Sequence, residues 1–146
     1  MATDMFMQYI LPALIILPFF ILWLLSMYWL FTIFTFRSKI KKIRPDLAFK
    51  LYFFEPTKTF EFAFKAIFYQ LTLGFFSKER TEKHLDEFFN IKAVKKLNNA
   101  ELNKYIKRIF LLNKILSIGT FIFEAIILLA VIYGLIALLL YHIFYK

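Results

Sequence analysis

One carboxylate, Glu124, stands inside the apolar sequence GTFIFEAIILLAV. An acidic side chain at mid-membrane depth costs a few kcal/mol or more, so such a residue is a candidate functional site. Ser26 and Tyr28 lie level with Glu124 if Arg37 and Lys114 mark the same membrane boundary. We therefore expect Glu124 to be protonated or in contact with water, and to face the first span or a partner helix. It is either one end of a hydrogen bond between helices or a carboxyl that senses protons or a partner.

Few other residues could do chemistry. The chain has no cysteine and two histidines, and it contains no glycine-rich phosphate loop and no catalytic serine or zinc motif. His84 stands among Glu82, Asp86 and Glu87, which makes a metal site conceivable, although a solvated helix face explains the same pattern. We expect no catalytic residue, no bound metal and no cofactor. The sequence therefore indicates a protein that is not an enzyme.

Two long stretches without lysine or arginine must position these side chains. They run from Met5 to Phe36 and from Ile115 to Tyr145. A helix that crosses the hydrocarbon core needs about 20 apolar residues, and each stretch exceeds that length. The chain of 146 residues is 61% hydrophobic with a mean hydropathy of +0.65, a composition typical of membrane proteins. We predict one transmembrane helix over residues 5–36 and another over residues 115–145.

The distribution of positive charge predicts the orientation of the two spans. Residues 37–108 contain 17 lysines and arginines, none precedes the first span, and only Lys146 follows the second. Because cytoplasmic loops carry the excess of lysine and arginine, we expect residues 37–108 to be cytoplasmic and both termini to lie outside the cytoplasm. This position beside the membrane accounts for the net charge of +9, and we expect no nucleic-acid partner.

The first residues of the cytoplasmic segment form a basic cluster, which we define as Arg37, Lys39, Lys41, Lys42 and Arg44. Clusters of this kind beside a membrane attract anionic lipid headgroups by about 1 kcal/mol per charge. The cluster acts either as a topology anchor or as a recognition site for a particular lipid. It predicts membrane lipids with anionic headgroups as partners.

A second candidate lipid contact lies in the middle of the cytoplasmic segment. Helical spacing over about residues 59–76 places Phe60, Phe64 and Phe68 on one face, with a narrow polar stripe beside it. An aromatic helix of this kind, capped by Thr59, can lie in the membrane interface. The alternatives are that it packs on the rest of the cytoplasmic segment, or that it forms a third span.

The last helix is predicted to run without interruption from about Asn99 to Tyr145, after a capping pair of Asn98 and Glu101. Small side chains recur along one stripe of this helix and would permit the close approach of a second helix. They are Gly119, Ala130, Gly134 and Ala137. The second helix is either the first span of the same chain or a helix of another protein.

These elements predict an all-α membrane protein with two antiparallel transmembrane helices and a basic, amphipathic helical cytoplasmic segment between them. The sequences KIRPDLAFKL (residues 42–51) and KAVKKLNNAELNKYIKRIFLL (residues 92–112) resemble the corresponding parts of bacterial universal stress protein B and its relatives. The resemblance implies a small, stress-linked protein of the inner membrane with one span at each end. It transfers no catalytic residue.

The expected function is that of a non-enzymatic inner-membrane protein, linked to stress or to the cell envelope, that acts through contacts with lipids and other helices. Two alternatives stay open. One is an accessory or assembly subunit of a larger membrane complex, and the other is an immunity-type protein that blocks a toxin in the membrane. A homo-oligomer or a membrane-protein partner would fit the stripe of small residues.

Overall fold

Helices account for nearly all of the computed structural model, which describes residues 6–51 and 55–145. The α-helices in these ranges are α1 (Leu11–Ile43), α2 (Pro56–Leu71), α3 (Lys78–Phe89), α4 (Ile91–Lys95) and α5 (Ala100–Phe144). A π-helical turn, Phe6–Ile10, precedes α1, and 3-10 turns lie at Pro45–Leu47 and Gly74–Phe76. Since no strand occurs in the described ranges, the prediction of an all-α protein is confirmed. Met1, Met5 and Lys146, on which the predicted topology partly depends, lie outside those ranges.

Two helical segments are long and apolar enough to cross a membrane, namely Gln8–Ile43 with 36 residues and Ala100–Phe144 with 45 residues. At 1.5 Å per residue, α5 is about 68 Å long, which exceeds the thickness of a bilayer core. The uninterrupted last helix is therefore confirmed. Its cap is Asn99 rather than Asn98, because the Asn99 side chain accepts hydrogen bonds from the backbone N–H groups of Glu101 and Leu102.

α2 begins three residues before Thr59 and ends at Leu71. Pro56 stands in its first turn, where the missing N–H of proline costs nothing and its fixed φ suits a helix. The Thr59 hydroxyl donates a hydrogen bond to the carbonyl of Glu55 instead of capping the helix. Leu73, with φ of 53°, then turns the chain away from the helical direction.

The C-terminal part of α1, helices α2–α4 and the N-terminal part of α5 form one packed unit, which we call the bundle (residues 29–51 and 55–117). Its fully buried side chains come from α1, α3, α4 and α5, and include Ile33, Phe36, Leu85, Phe89, Ile91, Leu102 and Ile109. Trp29, Ile33 and Phe36 belong to the predicted span 5–36, yet other parts of the chain cover them. An apolar run in a sequence does not reveal whether lipid or protein will cover it.

Beyond the bundle, α1 before Trp29 and α5 after Ser117 present apolar side chains to their surroundings. Leu14 is 59% exposed and Leu138 is 66% exposed. The two helices touch here, since the rings of Phe19 and Phe123 lie 6.0 Å apart. The exposed apolar halves of α1 and α5 therefore leave the bundle side by side.

Candidate membrane-contact site

The exposed side of α2 forms an aromatic face, which we define as Phe60, Phe64, Ile67, Phe68 and Leu71. Phe60 is 73% exposed, and Phe64, Phe68 and Leu71 are each 64% exposed. A run of large apolar side chains this exposed on one helix is unusual for a surface that meets only water. The predicted residues Phe60, Phe64 and Phe68 thus do share one face, and no other described part of the chain covers it.

The opposite side of α2 fixes the helix to the bundle. The ring of Phe62 stacks on Trp29 at 5.9 Å and meets Phe88 edge-on at 5.0 Å. Further along, Tyr69 stacks on His84 at 4.7 Å and shares a hydrogen bond between its hydroxyl and that of Thr81. Because these contacts occupy one side of α2, the aromatic face must point outwards.

A tight turn between α2 and α3, which we call the tip (residues 72–77), continues the apolar surface. Leu73 and Phe76 are 46% and 69% exposed, whereas Phe75 is buried with its ring 5.9 Å from that of Phe121 on α5. A Cβ atom on Gly74 would lie 2.4 Å from a ring carbon of Tyr69, so only glycine fits this turn. The tip therefore sits against α5 just where the exposed apolar half of that helix begins.

His84 is buried, so the prediction that it lies on a solvated helix face is wrong. It belongs to the inner side of α3 together with Leu85 and Phe88, and it stacks on Tyr69 and Phe62. Burial lowers the pKa of His84; the carboxylate of Glu87 acts in the opposite direction. Among the residues that the structure describes, no group of three potential metal ligands comes together.

Most of the basic cluster is engaged within the protein. The Arg37 Nε donates a hydrogen bond of 2.6 Å to the carbonyl oxygen of Phe49, and Lys39 forms an ion pair with Glu101. Arg44 forms a two-point ion pair with Asp46, and this pair holds the pKa of Asp46 below its usual range. The exposed members without such a contact are Lys41 and Lys42. These two lysines are the part of the cluster that is free to meet a headgroup.

The expected register between Glu124 and the first span does not hold in the structure. Phe19 contacts Phe123, and a Cβ atom on Gly119 would lie 2.5 Å from a methyl group of Leu22. Ser26 lies seven residues, or about 10 Å, further along α1 than Phe19. The reason is that Arg37 and Lys114 do not mark one boundary, since α1 continues into the bundle core before it reaches Arg37.

Glu124 and its expected partners are thus apart. The Ser26 hydroxyl donates to the carbonyl of Leu22 within α1, at 2.8 Å. Tyr28 is exposed, and so is Glu124, whose side chain α1 does not cover. Glu124 therefore does not face the first span in this structure. Its contact with a partner helix or with water stays a prediction.

A line of polar side chains on α5 leads to Glu124. This line was not predicted from the sequence. Asn113 and Ser117 are buried, and the Thr120 hydroxyl oxygen accepts a hydrogen bond of 2.7 Å from Gln70 Nε2 of α2. The buried atoms Asn113 Nδ2 and Gln70 Oε1 have no hydrogen-bond partner among the residues that the structure describes. Spacings of four, three and four residues from Asn113 to Glu124 place all four side chains within about 60° on a helix. This helical spacing of polar residues is the pattern from which the line could have been predicted.

The stripe of small residues divides into two parts. Gly119 is closed by Leu22 and belongs to the contact between α1 and α5. Among the described residues, nothing lies within 4 Å of a Cβ atom built on Gly134. Ala130 and Ala137 are exposed beside it. The outer part of the stripe is therefore open to another helix.

Comparison with known proteins gives no match. No family model fits the chain, and neither a curated protein nor a solved structure is significantly similar to it.

Proposed function

We propose that the chain is a non-enzymatic integral protein of the bacterial inner membrane that acts through contacts with lipids and with other helices. In this proposal α1 and α5 cross the membrane antiparallel to each other, and the bundle lies in the cytoplasm against the inner leaflet. We extend the proposal to a role in stress or in the cell envelope because residues 42–51 and 92–112 resemble the corresponding parts of the universal stress protein B family in their order of residue types.

The contacts between α1 and α5 support the antiparallel arrangement. Residue numbers fall along α1 as they rise along α5 in every pair that follows. The pairs are Lys39 with Glu101, Phe36 with Tyr105, Leu22 with Gly119, and Phe19 with Phe123.

The charge distribution supports the orientation. The 17 lysines and arginines of residues 37–108 lie in the bundle and at its ends, while the exposed apolar halves of α1 and α5 carry none. Since lysine and arginine are retained on the cytoplasmic side, this distribution favours a cytoplasmic bundle with both termini outside.

The observation that carries the proposal is the aromatic face of α2, which continues through the tip to the apolar half of α5. Burying a large apolar side chain contributes about 1.5–3 kcal/mol relative to leaving it in water. The face and the tip together hold several such side chains, and the tip and the adjoining end of α2 lie where α5 continues as an apolar helix. Contact with the membrane interface would remove them all from water at once.

Site-directed spin labelling tests this contact, and the absence of native cysteine makes single labels straightforward. In phospholipid vesicles, a label on Phe64→Cys should collide with oxygen dissolved in the bilayer and be shielded from a water-soluble nickel chelate. A label on the neighbouring Lys65→Cys, which points to the polar side of α2, should show the reverse. Equal accessibility at both positions would contradict the interfacial placement of α2.

The open part of the small-residue stripe favours a second candidate function, an accessory subunit of a larger membrane complex. A partner helix could approach Gly134 closely, because no described residue lies within 4 Å of a Cβ atom built on this glycine. In that case Gly134→Leu should release a foreign subunit from the gently extracted protein, as measured by its mass, whereas Tyr133→Leu, at an exposed neighbouring position, should not. A parent protein that carries no other subunit would count against this candidate.

A further inference from the structure

A pocket with a cavity volume of about 430 Å³ lies between the tip, the start of α3, α4 and α5. The larger part of its wall is apolar and includes Phe75, Ile106, Phe110 and Leu111. Lys78, Lys107 and Lys114 line it as well, and all three are exposed. We call this site the lysine pocket. It is separate from the basic cluster, which belongs to the end of α1.

The lysine pocket holds positive charge that the carboxylates of the protein offset only in part. Lys95, a fourth lysine of the lining, is paired with Glu82 at 2.9 Å and lies over the ring of Phe110 at 5.3 Å. The hydrogen bond from Lys95 lowers the pKa of Glu82, and the more distant charge of Lys78 acts in the same direction. Within the described part of the chain, no carboxylate lies within ion-pair distance of Lys78, Lys107 or Lys114. A ligand for this site should therefore be an anion.

The lysine pocket is also continuous with the apolar half of α5. Lys107, Leu111 and Lys114 recur at helical spacing, and the same face continues through Ile118 and Phe121 without a polar side chain. Phe75 of the pocket wall contacts Phe121 directly. A ligand with a charged head in the pocket could therefore extend an apolar tail along α5.

We propose that the lysine pocket binds the phosphate headgroup of an anionic phospholipid from the cytoplasmic leaflet, with an acyl chain along α5. Ammonium groups on flexible stems bind a phosphate as point charges and do not require one orientation, which suits a lipid diester. The apolar walls exclude a ligand that is charged throughout, such as nucleic acid. This inference rests on the proposed position of the bundle against the inner leaflet.

The test is a titration of the full-length protein in neutral detergent with phosphatidylglycerol, in which native mass spectrometry counts the bound lipids. Lys107→Gln with Lys114→Gln removes two charges from the lysine pocket. Lys96→Gln with Lys104→Gln, at exposed positions outside both the lysine pocket and the basic cluster, removes two charges from the rest of the bundle surface. At about fivefold in affinity per lysine, the pocket variant should bind roughly 25-fold more weakly. The surface variant should bind like the parent. An equal loss in both variants would mean attraction to the whole basic surface and would overturn the proposal.

Further probes separate the possible ligands. Glycerol phosphate, which has the headgroup without acyl chains, should not compete with the lipid, and phosphatidylcholine should bind weakly. Leu111→Ser, at a side chain that is 59% exposed, should weaken phosphatidylglycerol binding while the helix content stays unchanged. Competition by glycerol phosphate at equal concentration would indicate a free-phosphate site instead. Displacement of the lipid by an acidic amphipathic peptide that binds more tightly would indicate a protein partner. Either result would overturn the proposal.

The spin-label experiment distinguishes a failure of this inference from a failure of the proposed function. If the labels at Phe64→Cys and Lys65→Cys differ as expected but the lysine pocket binds no lipid, then α2 contacts the membrane and the proposed lipid site is wrong. If the two labels are equivalent, the position of the bundle is itself wrong.

Discussion

His84 shows at the residue scale how the bundle accommodates a titratable group. Its imidazole lies in a stack of aromatic rings, and burial favours the neutral form. In the sequence, the only pattern around His84 was its acidic neighbours, and acidic side chains usually face water. This pattern therefore predicted a solvated position for His84. Each of those neighbours is engaged elsewhere, since Glu82 pairs with Lys95, Asp86 accepts a hydrogen bond from the backbone N–H of Lys92, and Glu87 pairs with Lys65.

The lowered pKa of His84 predicts that the bundle loses stability in mild acid. Above the unfolded-state pKa of about 6.5 the histidine is neutral in both states, so the contribution is constant. As the pH falls below that value, the unfolded chain takes up a proton that the folded chain resists, and the free energy of unfolding decreases. Chemical unfolding between about pH 7.5 and about pH 5 should show this decrease in the parent protein. His84→Phe keeps a ring in the stack but cannot take up a proton, so this decrease should be smaller in the variant. An unchanged pH dependence would contradict the assignment of the effect to His84.

Glu124 poses the other residue-scale question, because it is exposed on an apolar helix one turn beyond the hydrogen bond between Thr120 and Gln70. We expect Glu124→Gln to preserve abundance and oligomeric state, since an amide keeps a donor and an acceptor. Glu124→Leu removes both, and the loss of one interhelical hydrogen bond is worth about 0.6 kcal/mol on average. Loss of a cellular phenotype in the Gln variant at normal abundance would instead show that ionisation matters.

At the scale of elements, the two sides of α2 can be tested separately. Phe62→Ala removes a ring from contacts with Trp29 and Phe88 and should lower the free energy of unfolding by about 3 kcal/mol. Phe64→Ala, two residues away on the aromatic face, should leave that free energy nearly unchanged and weaken the contact of α2 with lipid. Thermal unfolding in detergent together with lipid accessibility in vesicles measures both effects. Equal destabilisation by the two variants would show that the aromatic face is packed rather than open.

The helices were predictable to the extent that local signals determine them. A periodicity of 3.6 residues identified the aromatic face, and the absence of breakers identified α5 as one helix. The start of α2 was predicted too late, because Pro56 suits the first turn of a helix and Thr59 does not cap it. The division of α1 at Trp29 was not predictable, since the same types of apolar residue suit a protein core and a lipid contact.

At the scale of the whole molecule, contacts between distant parts of the chain decide the sites. The lysine pocket joins the tip to a part of α5 that begins at Ile106, more than 25 residues later, and neither segment by itself indicates that the two meet. The register of α1 against α5 likewise depends on the size of the bundle, which moves Arg37 away from the level of Lys114. Composition predicted two helices able to cross a membrane, and it could not predict how much of each helix the bundle would occupy.

The most direct test of the central claim is the labelling of single cysteines in intact spheroplasts with a membrane-impermeant maleimide. Tyr145→Cys, at an 81% exposed position near the C-terminal end of α5, should react in intact spheroplasts. Lys96→Cys, exposed in the bundle after α4, should react only after lysis. Labelling of Lys96→Cys before lysis, or protection of Tyr145→Cys until lysis, would contradict a protein whose two apolar helices cross the membrane with the bundle inside.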